Sequence, residues 1–99
     1  MITNISVISP SAVHISVGQY NHGAQRLELW VYATRYIVED GVKFANIAEF
    51  DLSPFKQAKK VVLVDNDWDY RYEMTYAQFK KIPVKDGVRK INISKLKAI

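Results

Sequence analysis

Three carboxylates at alternate positions, Asp65, Asp67 and Asp69, close an apolar run, Val61-Val62-Leu63-Val64. An apolar strand ending in D-x-D-x-D is one way phosphotransferases and nucleotide-sugar enzymes set carboxylates on Mg²⁺, and the same spacing opens an EF-hand loop. The string leaves the EF-hand pattern at its sixth position, Tyr70, where glycine is needed, and at its twelfth, Tyr76, where a glutamate would chelate. The transferase folds need far more chain than 99 residues. Asp and Asn are also ordinary turn residues, so the expectation is a polar turn that holds no structural metal.

The only histidines are His14 and His22, and there is no cysteine. They lack HExxH spacing and thiolate partners, which argues against zinc. No G-x-S-x-G elbow marks a serine nucleophile, and four scattered glycines make no phosphate loop. The segment Tyr20-Asn21-His22-Gly23 is a connector or a contact loop. Neither a catalytic constellation nor a cofactor motif stands out.

Aromatic and basic residues offer binding chemistry instead. Trp30, Tyr32 and Tyr36 recur with a period of two or a multiple of it, so one extended strand would set them in a row. Two readings fit such a row: a second layer covers it and it is core, or it is a face that anchors a partner protein or stacks bases. Aromatics also interleave with bases at Tyr70-Arg71-Tyr72 and from Tyr76 to Lys81, but Asp65, Asp67, Asp69 and Glu73 lie beside them and would repel phosphates.

The formal charge of +4 is unevenly spread. Residues 80–99 carry seven basic groups, Lys80, Lys81, Lys85, Arg89, Lys90, Lys95 and Lys97, against Asp86, a local charge of +6 that leaves −2 for residues 1–79. Such a segment attracts nucleic acid or an acidic protein face, or serves as a solvated, lysine-defended strand edge.

The elements that must position these residues read as one domain over 1–99. Hydrophobic residues make up 48% and charged residues 24%, which fits a soluble globule. No apolar run is long enough to span a membrane as a helix, and no leader is legible at Met1–Pro10, so an intracellular, cytoplasmic chain is expected. Residues 2–8 and 12–18 read as strands joined by Ser9-Pro10-Ser11, with Val13, Ile15 and Val17 as the apolar side of the second and a polar loop over 19–25. Asp40-Gly41 demands a type I′ hairpin, which over 26–52 would set Ile37 against Phe44, Ala33 against Ala48, Val31 against Phe50 and Leu29 against Leu52.

Ser53-Pro54 reads as the start of a two-turn helix reaching Lys59 or Lys60, and 60–65 as a doubly buried strand. Residues 69–75 alternate, with Tyr70, Tyr72 and Met74 on one side. Thr75 caps a short helix over 76–81 with Phe79 in the core and Pro83 beyond its end. Asp86-Gly87 repeats the hairpin signal before a last strand over 88–94, where Val88 and Ile91 are out of phase and require a bulge or a shorter strand.

The expected fold is therefore β-rich α+β: a single compact antiparallel sheet, small barrel or sandwich of six to seven strands with one or two short helices. The expected function is a non-catalytic module that binds another protein through Trp30, Tyr32 and Tyr36, with self-association open to it. The alternative is nucleic-acid binding by Lys80, Lys81, Lys85, Arg89 and Lys90. Small cysteine-free chains of this kind occur among accessory and inhibitory proteins of phages and mobile elements, an association rather than a chemical argument.

Overall fold

In the computed structural model, which describes residues 1–8, 15–31, 36–65 and 70–99, both Asp-Gly pairs turn the chain as their chemistry demands. Asp40 and Gly41 have φ of 51° and 77°, and Asp86 and Gly87 have 55° and 76°, the paired positive values of a type I′ turn. Around these turns the described residues form ten strands: β1 (Ile2–Ile8), β2 (Ile15–Asn21), β3 (Arg26–Val31), β4 (Tyr36–Glu39), β5 (Val42–Ala48), β6 (Lys60–Asp65), β7 (Tyr70–Thr75), β8 (Val84–Lys85), β9 (Val88–Asn92) and β10 (Lys97–Ala98). One helix, α1 (Tyr76–Lys81), follows β7 directly. The fold is β-rich α+β, with more and shorter strands than the sequence pattern implies.

The strands make two sheets. The larger runs β1-β2-β3-β6-β7-β10 and the smaller β4-β5-β9-β8. All pairings are antiparallel except β3 with β6, which is parallel, so the larger sheet is mixed. Their inward sides share one core. Leu27, Leu29, Val31, Val61, Leu63 and Met74 come from the larger sheet, and Ala45, Ile47 and Ile91 from the smaller. Buried Ser16 on β2 donates its hydroxyl proton to the Ala48 carbonyl on β5, a direct tie between the layers.

The hairpin register holds only near its turn. Ile37 opposes Phe44 and Tyr36 opposes Ala45, but the pairs Leu29–Leu52 and Val31–Phe50 do not form. β3 lies in the other sheet, where β2 and β6 occupy both of its hydrogen-bonding sides: Leu29 is opposite Gly18 and Leu63. Leu29, Val31 and Phe50 are buried all the same, whereas Phe44 is only half-buried, on the outward side of the smaller sheet. The pair Ala33–Ala48 lies partly outside the described residues, as do the Ser9-Pro10-Ser11 turn, Val13, His14, Tyr32, Asp67 and Asp69.

Three further expectations are corrected. β2 runs on to Asn21, through part of the supposed loop, and its inward positions are Ser16, Gly18 and Tyr20 rather than Ile15 and Val17. Burying a whole tyrosine outweighs the local apolar pattern. The helix after Ser53 shrinks to a 3-10 turn, Ser53–Phe55, because Ser53 does not cap it; the Asp51 carboxylate instead accepts from the Ser53 N–H and hydroxyl, both at 2.9 Å. Those bonds hold the Asp51 carboxyl below its usual pKa. The N–H groups of Lys59 and Lys60 then donate to the Gln25 carbonyl, which draws β6 alongside β3 in parallel. Finally, β9 is the shorter of the two alternatives, ending at Asn92, but its inward residues are Arg89 and Ile91 rather than Val88.

Other expectations hold. Val61 to Asp65 are all buried, as a strand flanked on both sides requires. Thr75 and Gln78 form a capping box, Thr75 Oγ1 accepting from Gln78 N–H at 3.0 Å and Gln78 Oε1 from Thr75 N–H at 2.9 Å. Phe79 is fully buried. No helix among the described residues is long and apolar enough to cross a membrane.

Candidate functional site

Residues directly opposite across paired strands share a side of the sheet. On the outward side of the larger sheet, one row therefore runs Ser6, Val17, Trp30, Val64, Arg71. The next runs Asn4, Gln19, Glu28, Val62, Glu73, Lys97. Trp30 is half-buried at the centre of this face, and its indole N–H donates to Glu28 Oε1 at 3.2 Å, which fixes the ring. Val62 and Val64 are nearly inaccessible because longer side chains stand on either side of each. Val17, Gln19, Glu28 and Glu73 are half-exposed and Arg71 is exposed. Lys60 and Glu73 form an ion pair at 3.3 Å on the same side. The result is a broad face with a rigid aromatic at its centre, aliphatic neighbours and a rim of both charges.

The aromatic row does not survive as a single row. Trp30 and Tyr36 belong to different sheets, and Tyr32 lies outside the described residues. Tyr36 turns inward, packs on the core and carries the Lys43 ammonium 4.1 Å above its ring. Of the described residues expected to anchor a partner, Trp30 is the one on the outward side of the larger sheet.

The basic residues are dispersed as well. Lys80 and Lys81 end α1, and Lys80 sits 4.9 Å above the Tyr76 ring. Lys85 and Lys90 share the outward side of the smaller sheet, where Lys90 is bound to Glu39 and lies 4.5 Å above the Phe44 ring. Arg89 is not a surface group. It is 6% exposed, stacks 4.8 Å over the Phe79 ring, and its Nε and Nη1 have no hydrogen-bond partner among the described residues. Burial lowers its pKa, and the Glu49 carboxylate and Tyr76 partly counter that shift. The phase of β9 is the signal for this position, since Arg89 and Ile91 are two residues apart.

The other candidates resolve into structure. His22 Nε2 lies 2.7 Å from Thr3 Oγ1 and its ring meets Tyr20 edge-on at 4.6 Å, which fastens β1 to the end of β2. Tyr20 starts a buried aromatic chain through Phe55 at 5.2 Å, Phe50 and Phe79. Tyr76 packs beside it, and burial raises its phenol pKa. Asp65 points inward and is buried at the end of β6. Among the described residues no three His, Cys, Asp or Glu side chains gather as a metal site.

A cleft of about 330 Å³ opens between α1 and β9, with Met74, Ile82, Ile91 and Leu96 as apolar walls and Lys90 and Lys95 as its cations. It holds no pairing of a nucleophile with a base.

Comparison with protein-family models, curated proteins and solved structures finds no match for this chain.

Proposed function

We propose that the protein is a non-catalytic module that binds another protein through the outward side of its larger sheet, with Trp30 as the anchor. The observation that carries this reading is the setting of Trp30 between Val17 and Val64, with its N–H held by Glu28. A tryptophan flanked by two valines within a polar rim has the composition of an interface hot spot. A fixed ring also loses little conformational freedom on binding.

The same face mixes both charges, with Arg26, Lys60, Arg71 and Lys97 on the side that carries Glu28 and Glu73. Glu28 and Glu73 flank Val62 in the row beside Trp30, and carboxylates there repel phosphates. Lys80, Lys81, Lys85, Arg89 and Lys90, the basic groups expected to attract phosphates, are spread over a helix end, the smaller sheet and the core.

The test is capture from an extract of the source cells after nuclease treatment. The wild type and a K85E/K90E variant should retain the same protein, while Trp30→Ala and Val17→Lys should lose it. Capture that survives Trp30→Ala but disappears with K85E/K90E or with nuclease would refute the reading in favour of nucleic-acid binding.

A further inference from the structure

Among the described residues the two sheets present four edge strands, and three of them are defended. β10 is two residues long and carries Lys97, β8 is two residues long and carries Lys85, and β4 is four residues long and ends in Glu39. Short length and charge are the usual protections of an open edge. β1 has neither. It is seven residues, Ile-Thr-Asn-Ile-Ser-Val-Ile, with no charged side chain, no proline and no glycine. Its strand partner among the described residues is β2 alone, and Ile2 and Ile8 are 53% and 66% exposed on its outward side.

The backbone phase of the free edge follows from one bond. The His22 N–H donates to the Met1 carbonyl at 3.1 Å, next in line to the Ile2–Asn21 pair. In an antiparallel ladder the bonded positions alternate, so Met1, Thr3, Ile5 and Val7 bond toward β2. Ile2, Asn4, Ser6 and Ile8 therefore turn their N–H and C=O groups to the free edge.

The sequence of β1 is close to a palindrome in chemical type. Pairing with a copy of itself about a two-fold axis at Ile5 sets Ile2 against the second copy's Ile8, and Asn4 against its Ser6. These are the positions whose backbone groups are free. On the inward side Thr3 meets Val7 and Ile5 meets Ile5. No pair opposes like charges. Because Ile8 already faces Ile15 across β1 and β2, the outward side gains a continuous apolar row of Ile15, Ile8 and the second copy's Ile2.

We infer that this protein forms a homodimer by antiparallel pairing of β1 with β1 of a second copy, centred on Ile5. The product is one twelve-stranded sheet, six strands from each copy, with both Trp30 faces on the same side. The inference does not depend on what Trp30 binds, since Trp30 lies on the third strand in from the edge.

The test is sedimentation equilibrium of the full chain over a wide concentration range. The wild-type mass should rise from 11.4 kDa toward twice that value. Asn4→Pro removes an N–H from the free edge and none from the β1–β2 ladder, so it should stay monomeric while keeping the wild-type circular dichroism. I2K/I8K places like charges across both end pairs and should also be monomeric. I2K/I8E places opposite charges across the same pairs and should recover the dimer. A wild type that remains at the monomer mass up to millimolar concentration, or a dimer indifferent to I2K/I8K, would overturn the inference. Failure of I2K/I8E to dimerise where the wild type does would overturn the register on which it rests.

Discussion

Leu29 and Trp30 are neighbours in sequence, yet they stand on opposite sides of the larger sheet and meet opposite surroundings. Leu29 is fully buried between the layers, opposite Gly18 and Leu63. Trp30 is half-exposed among Val17, Glu28 and Val64. The inward side is closed and mostly aliphatic, with Ser16, Tyr20 and Asp65 buried among the aliphatic side chains. The outward side mixes an aromatic, aliphatics and both charges. A strand that alternates at every residue gives one segment two different sides, and here the inward set holds the fold while the outward set is the one proposed to bind a partner.

The largest expected effect lies on the inward side. Leu29→Ala or Leu63→Ala should destabilise the fold by about 2–5 kcal/mol, read from urea unfolding. A cost below about 1 kcal/mol would mean that this side is not the core it forms here. Next comes Gly18→Ala. A Cβ at Gly18 would sit 2.0 Å from the Glu28 carbonyl oxygen, so β2 would have to draw back from β3. The expected cost is about 1–3 kcal/mol, and an unchanged midpoint would contradict so close an approach.

On the outward side the two readouts should part. Trp30→Ala should shift unfolding by no more than about 1 kcal/mol, while weakening partner binding by about 2 kcal/mol or more. A large loss of stability at Trp30 with binding intact would erase the distinction between the sides. The smallest effect sharpens it. Thr75 also projects outward, but it caps α1, so Thr75→Ala should cost about 1 kcal/mol through the lost cap rather than through burial. Thermal melts of T75A and T75S separate the two causes, since serine restores the cap.

Much of the local structure was legible because local chemistry determines it. Two Asp-Gly turns, the capping box at Thr75 and Gln78, and the buried run Val61–Asp65 each depend on a few adjacent residues. The sheet to which β3 belongs does not. The I′ turn at Asp40-Gly41 governs the pairs beside it, and by Leu29 its authority has passed to β2 and β6, which are distant in sequence. The same limit explains Tyr20. Its neighbours Gln19, Asn21 and His22 read as a loop, and only its packing against Phe55 and His22 shows that it is core. Composition alone puts Arg89 among the surface cations, where arginine ordinarily lies, whereas the phase of β9 turns it inward onto Phe79. One consequence is practical: a charge reversal at Arg89 reports on folding, so tests of the basic surface belong at Lys85 and Lys90. For the candidate site, Trp30 was legible as an aromatic on a strand. Its separation from Tyr36 was not, because an unbroken strand from 26 to 39 is consistent with every local signal.

The proposed meeting place with a partner is the outward side of the larger sheet. Site-specific photo-crosslinking from Gln19, which stands opposite Glu28 on that side, tests it directly when compared with crosslinking from Lys85 on the smaller sheet. Gln19 is expected to yield a nuclease-resistant adduct with a different protein, abolished by Trp30→Ala, and Lys85 is expected to yield none. An adduct from Lys85 with none from Gln19, or adducts that nuclease removes, would contradict it.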